Sequence, residues 1–277
     1  MVFKPLVFFH AFNLNWEVFQ LNINEQLAAL GWNKEWESYV TQDSRWIPAR
    51  VSKEHKNSYE VHTGAQTLLA ELTGRYYYRS IKREDLPAVG DWVLIQQQEG
   101  EKRAMIHEVL PRMSSFSRKK AGREIELQIV AANLTKVFLV MSLNDDYNLR
   151  RLERYLITAW ESGASPVVVL SKSDLVDDPE SLKAEAESVA IGVPVILWSA
   201  KSSVGLESLQ ALIRKEDTVA LLGSSGVGKS TLLNAIAKQE HMLTRAIREA
   251  DHKGKHTTTH RELIVLAQGG VLIDTPG

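Results

Sequence analysis

The chain has 277 residues, 44% of them apolar and 24% charged, which is long enough for two hydrophobic cores and excludes a disordered or fibrous protein. Its net charge of -1 by itself points to no polyanionic partner, and the absence of cysteine excludes disulfides, thiolate nucleophiles and Cys-ligated zinc within these residues. No apolar run approaches the ~18 residues needed to cross a bilayer, so a soluble, cytoplasmic protein with no membrane partner is expected. The charge is unevenly spread: residues 44–124 hold 15 Lys and Arg against 10 Asp and Glu, a net of +5 that leaves -6 for the remainder. A basic module is joined to an acidic one.

The first ten residues are mildly apolar, but Pro5, His10 and the lack of a small-residue cleavage site argue against a secretory signal. A helix is expected around Asn24 to Leu30, closed by Gly31 and followed by exposed tryptophans; residues 1–43 are taken as an N-terminal extension. Between residues 44 and 115 the texture changes to five short alternating segments: Arg50 to Lys53, Ser58 to His62, Thr67 to Leu72, Asp91 to Gln96 and Arg103 to Leu110. Gly64, Gly74, Gly90 and Gly100 punctuate them, and the pattern predicts a small all-β barrel. Ser117 to Arg123 is expected to be a charged linker. Over 116–277 apolar strand-like runs then alternate with helix-period stretches, which predicts an α/β domain with a mostly parallel sheet and helices on both faces.

The most specific motif in that second part is Gly223-Ser-Ser-Gly-Val-Gly-Lys-Ser230, led by the apolar run Thr218 to Leu222 and followed by a helical stretch from Thr231. A strand must deliver such a loop and a helix N-terminus must receive it, so that backbone N–H groups and the positive helix end converge on phosphate. Gly223, Ser224, Ser225, Gly226, Val227, Gly228 and Thr231 would form the cradle. Lys229 would reach the β- and γ-phosphates, and Ser230 would complete a Mg²⁺ shell. Asp274-Thr-Pro-Gly277 follows another apolar strand; Asp274 would hold Mg²⁺ through water and the Gly277 N–H could meet the γ-phosphate.

Two further strand ends carry base-recognition chemistry. In Ser171-Lys-Ser-Asp174, the Asp174 carboxylate can accept two parallel hydrogen bonds from guanine N1–H and N2–H₂, which adenine cannot offer, while the Lys172 stem packs along the base. Ser199-Ala200-Lys201 could present backbone N–H groups to guanine O6. Between the loop's helix and the next strand lies Gly254-Lys-His-Thr-Thr-Thr-His260. Its three threonines leave the Mg²⁺ ligand open, with Thr258 preferred and Thr257 second, and His256 could orient a water or stabilise transition-state charge.

The order of these motifs, with the guanine elements ahead of the phosphate loop, resembles the circularly permuted GTPases. The basic barrel and the phrases Leu86-Pro-Ala-Val-Gly-Asp-Trp-Val93, Glu108-Val-Leu-Pro-Arg112, Ala131-Ala-Asn133 and Gly254-Lys-His-Thr-Thr-Thr259 are similar to the RsgA (YjeQ/YloQ-like) family of ribosome small-subunit biogenesis GTPases. The resemblance implies an OB-fold ahead of a permuted GTPase domain, and GTP or GDP with Mg²⁺ as cofactors. It also implies docking on the small ribosomal subunit and its rRNA, action as a monomer, and a catalytic role for His256 beside Lys229. RNA contacts would come from the barrel, where Tyr76, Tyr77 and Tyr78 stand among Arg75, Arg79, Lys82 and Arg83, or are instead half-buried strand residues. The linker's Arg118, Lys119, Lys120 and Arg123 would add to those contacts.

Two departures stand out. The guanine element usually opens with Asn, and Ser171 is expected to tie the loops together less well and so to loosen guanine preference. The family's closing Cys/His zinc module and switch helix have no counterpart before Gly277, so the chain reads as a truncated form with impaired hydrolysis and docking. The alternatives are a P-loop ATPase or small-molecule kinase, or a nucleotide-gated RNA-binding module with negligible turnover.

Overall fold

Five short strands alternate inward and outward side chains and close on themselves. They are β1 (Ile47–Glu54), β2 (Tyr59–His62), β3 (Thr67–Leu72), β4 (Trp92–Gln97) and β5 (Arg103–Val109). In the computed structural model, which describes residues 24–40, 46–80, 82–98, 100–120, 126–144, 146–244, 261–267 and 269–274 (only the backbone of 118–120, 126 and 238–244), the ladder runs β1–β2–β3–β5–β4 and returns to β1. All pairings are antiparallel except β3–β5. In β3, Leu68 and Ala70 point inward while Thr67, Leu69 and Glu71 point outward, the period-2 pattern that a half-buried strand requires. A bulge between Val51 and Lys53 lets β1 bend from one neighbour to the next. The barrel core is Val51, Tyr59, Val61, Val93, Ile95 and Ile106 with small alanines between them.

The face of β4 turned away from the barrel core is covered by the preceding segment. Helix α1, described over 24–28, and α2 (Lys34–Glu37) deliver Leu27, Leu30, Trp32 and Trp36 onto Trp92, Leu94 and Leu110. Trp32 is 6% and Trp36 3% exposed, so the expectation of exposed tryptophans is corrected: the indoles pack on the outer face of β4, and Trp32 meets Trp92 edge-on at 4.8 Å. Helix α3 (Gly74–Arg79), capped by Thr73 Oγ1, follows β3. It carries all three tyrosines, which corrects the strand alternative: Tyr77 is 66% and Tyr78 91% exposed, while Tyr76 donates its hydroxyl to Asp85 O at 2.7 Å.

The stretch expected to be a linker is partly a strand. β6 (Ser115–Lys120) pairs antiparallel with β7 (Glu126–Ala132), because the alternation Ser-Phe-Ser-Arg-Lys-Lys meets a complementary apolar run. Beyond it, β8 (Lys136–Ser142), β9 (Ser165–Ser171), β10 (Val195–Trp198), β11 (Thr218–Leu222), β12 (Glu262–Val265) and β13 (Val271–Asp274) stand in the order β10-β9-β8-β11-β13-β12. The first four of those five pairings are parallel and β13–β12 is antiparallel. Helices α4 (Leu149–Glu161) and α5 (Pro179–Val189) cover one face, and α6 (Leu206–Ala211) and α7 (Lys229–Thr244) the other, each over its own apolar cluster.

Strand β12 also pairs with β1 at Lys53↔Glu262, so barrel and sheet share one continuous ladder. Polar groups lock the seam. Arg50, 1% exposed, donates to Gly90 O, to Leu30 O and to Asn133 O, and its guanidinium lies 5.1 Å from the Trp92 ring. Desolvation pulls its pKa down to about 9, opposed by Asp91. Asp91 is fully buried and receives a two-pronged bond from Arg112, at 2.8 Å from Nε and 2.7 Å from Nη2. Arg112 also donates to Glu84 O and Leu86 O. Asn133, held at φ +56°, donates to Gly90 O and accepts from Met113 N.

Candidate functional site

In an open α/β sheet, ligands bind beyond the carboxyl ends of the strands, where the chain reverses its direction of winding. Here that point lies between β8 and β11, because the chain leaves β8 for β9 and β10 on one side and returns to β11 on the other. The Gly-rich loop leaves β11 at this position and enters α7 at Lys229. Gly223 is required there because a Cβ would collide with Val140 O of the neighbouring strand. Gly228, at φ +97°, turns the chain into the helix under the Trp198 ring, 3.3 Å from where a Cβ would stand. Val227, 1% exposed, anchors the loop in the core, whereas Ser225, Gly226, Ser230 and Thr231 are exposed along its rim.

Lys229 folds back over the loop and donates to Gly223 O and Ser224 O, both at 2.8 Å. Partial desolvation lowers its pKa, opposed by the carboxylates of Asp274 and Asp146. Asp274 closes β13 and is 8% exposed. The parallel register of β13 with β11, which pairs Ile273 with Ala220, brings it to the end of β11 from which the loop leaves. A lysine and one carboxylate thus act on each other at the loop.

The residues expected to recognise a base meet on the other side of Gly228. Lys172, in the left-handed conformation at φ +58°, turns the chain sharply after β9 at a cost of ~1 kcal/mol or more. Ser171 therefore faces inward, fully buried, and Asp174 faces out. The Ser171 hydroxyl donates to Val227 O at 2.6 Å, a direct strap from this turn to the phosphate loop. Ser171, expected to tie the loops less well than the family's Asn, does reach the phosphate loop, because the two backbones approach closely enough for a hydroxyl to span them. Asp174 Oδ1 accepts from the buried Ser199 hydroxyl at 2.6 Å, which holds its carboxyl below the usual range. Ser199 Oγ also accepts from Lys201 N and Ser202 N, at 3.2 and 3.3 Å. Ser199 is thereby an orienter of Asp174, and the Lys201 N–H, among those expected to face guanine O6, is turned to Ser199. Lys172, Asp174, Leu175, Trp198, Ala200, Lys201, Gly228 and Thr231 line a cavity of about 190 Å³.

The remaining sequence expectations, His256, Thr258, Gly277 and Arg123, lie outside the described residues; Arg118, Lys119 and Lys120 lie on β6 with only their backbone described. One contact was missed in the sequence: Arg151, in the first turn of α4, donates to Ser224 Oγ at 2.9 Å, with Tyr155 OH 3.5 Å from the same oxygen. The available signal was Asn148, an N-cap residue just past β8, which places the first turn of α4 at the loop's edge of the sheet.

Comparison with known proteins agrees with this geometry. Residues 109–277 match the family model described as RsgA GTPase. The small ribosomal subunit biogenesis GTPase RsgA 1 of Oceanobacillus iheyensis is 46% identical over 258 residues, covering 93% of this chain and 72% of that protein. The protein named RsgA in Opitutus terrae is 41% identical over 263 residues, covering 91% and 71%. Among solved structures, YjeQ from Thermotoga maritima superposes with a TM-score of 0.64 at 27% identity, over 84% of this chain and 75% of that one. YloQ, a circularly permuted GTPase, shares the fold at a TM-score of 0.60 and 23% identity, over 84% and 71%. With a Gly-rich loop at the switch point, an exposed aspartate beside it, a closed five-stranded barrel ahead of both, and relatives of this identity, the chain belongs to the RsgA GTPase family.

Proposed function

We propose that this protein binds GTP, hydrolyses it to GDP and phosphate, and serves late maturation of the small ribosomal subunit, gripping rRNA through its barrel. The observation that carries the nucleotide part is the Ser171–Val227 bond, which ties an outward-facing, ionised Asp174 to the loop that Lys229 closes. A base on Asp174 and phosphates on the loop would then be read by one rigid unit. The name of the relatives supplies the ribosomal context. Residues 44–115 would act as the RNA-facing OB domain and 116–277 as the GTPase domain, the protein working as a monomer in the cytoplasm. Among the described residues no helix is long and apolar enough to cross a membrane.

Mg²⁺ fits this site as it does others that rely on one carboxylate, one hydroxyl, phosphate oxygens and water, and Ser230 with Asp274 provides that pair. The ion would neutralise charge between the phosphates; Lys229 and the loop amides would hold them in line, and a hydroxyl from Thr258 or Thr257 would complete the shell. Among the described residues there is no cluster of three or more His, Asp or Glu, which suits Mg²⁺ held partly by its substrate. On the barrel, exposed Tyr77 and Tyr78 with exposed Arg75, Arg79, Lys82 and Arg83 offer stacking faces and cations to an unpaired RNA stretch.

Nucleotide competition and cosedimentation test the reading together. GTP should displace labelled GDP where ATP does not, and a GTP analogue should carry the protein into the small-subunit pellet more than GDP does. If ATP competes as well as GTP, the GTPase reading fails in favour of an ATPase or kinase. If hydrolysis in a single turnover is no faster with subunits than without, a nucleotide-gated binding module replaces it.

A further inference from the structure

The phosphate loop is flanked by a second cation that the reading above does not use. Arg151 is the third residue of α4, its backbone N–H held by the Asn148 side chain at 3.0 Å, so its position is fixed at the helix start. From there its Nη1 reaches both Asp146 Oδ1 and, at 2.9 Å, the hydroxyl of Ser224. Ser224 is also the residue whose carbonyl accepts from Lys229. Both charged groups therefore converge on one residue of the loop, Arg151 through its side chain and Lys229 through its backbone. The side chains of Arg151 and Asp146 keep 29% and 22% exposure, so neither is locked into the core.

This differs from a structural ion pair. Arg50 and Arg112 in the seam spend at least three donors each on fixed acceptors, whereas Arg151 has one carboxylate and one hydroxyl. A guanidinium offers five donors in a planar fork suited to phosphate oxygens. Asp146 also acts on Lys229, which sets the carboxylate among both cations.

We propose that Arg151 is a phosphate-binding residue: when nucleotide enters the loop, its guanidinium exchanges Asp146 for phosphate oxygens and adds a second charge to that of Lys229. Asp146 is then the counter-ion that holds the arginine beside Ser224. This rests on the loop being the nucleotide-phosphate site, and the test separates the two claims.

Affinities for GMP, GDP and a non-hydrolysable GTP analogue are measured by calorimetry on the full chain with Arg151→Ala, Arg151→Lys and Lys229→Ala. Arg151→Ala should leave GMP within about two-fold, weaken the GTP analogue by about 10-fold or more, and reduce the salt dependence of binding. Arg151→Lys should recover part of the loss. Equal losses for all three nucleotides, or none, would overturn the proposal, since an arginine that only braces Ser224 has no reason to count phosphates. If Arg151→Ala unfolds, the Arg151→Lys series decides on the same ratio. Loss of the phosphate-dependent gain in Lys229→Ala but not in the Arg151 variants sinks the arginine alone; its persistence in Lys229→Ala sinks the loop reading itself.

Discussion

Two regions of this molecule are dense in charge, and they treat it in opposite ways. At the seam between barrel and sheet, Arg50 and Asp91 are 1% and 0% exposed, and Arg50, Asp91 and Arg112 direct their hydrogen bonds at backbone carbonyls, at each other or at the Ala88 N–H. At the loop, Asp174 is exposed and held by one serine hydroxyl, and Lys229 rests on two carbonyls of the loop it serves. A buried charge is tolerated only with fixed partners, so the seam is scaffolding. A charge whose partners are weak, neutral and local can exchange them for a ligand, and that is how the two are told apart.

The comparison breaks most severely at Arg112. Arg112→Met should cost about 3–5 kcal/mol in urea unfolding, because Asp91 is left buried without its partner. The double variant with Asp91→Asn should regain much of that, and a single-variant cost below about 1 kcal/mol would deny the seam its structural role. Next in size, Asp174→Asn should cost about 1.5–3 kcal/mol of GDP affinity by calorimetry, roughly 10- to 150-fold, with little change in unfolding midpoint. An unaltered preference for GTP over ATP would mean that the base is read elsewhere.

Ser171→Ala should cost about 0.5–1.5 kcal/mol in nucleotide affinity, since a neutral bond between two loops is lost while the core around it stays packed. A change in stability with no change in affinity would make the strap a packing feature. The smallest effect on the fold is expected at the barrel surface: Tyr78→Ala should shift stability by no more than about 0.5 kcal/mol. The same variant should weaken single-stranded RNA binding by about 1–3 kcal/mol in a titration at fixed salt.

Much of the site was legible in the chain because local chemistry dictates it. The spacing from Gly223 to Ser230 admits few other folds, and Asp274 and Asp174 each follow an apolar run that can only be a strand. The five barrel segments were readable for the same reason, since alternation survives wherever one face is buried. Legibility failed where a residue's partner comes from far along the chain. Trp32 and Trp36 look exposed until Trp92 is placed against them. At Tyr76 to Tyr78 the failure was local instead: the side chains favour strands, yet Thr73 caps a helix there and Ser80 closes it.

By itself the sequence determined which residue types stand where: a Gly-rich loop with its lysine, a carboxylate after a strand, and a basic barrel joined to an acidic α/β domain. Backbone spacing and side-chain type decide these within a few residues. Only the tertiary structure decided how the parts are coupled: Ser171 strapped to Val227, Ser199 turning Asp174, Arg151 reaching Ser224, and Lys53 on β1 paired with Glu262 on β12. Each joins residues at least 25 positions apart, and the last joins residues 209 apart. Such contacts depend on how strands are ordered in the sheet, and no local pattern carries that order.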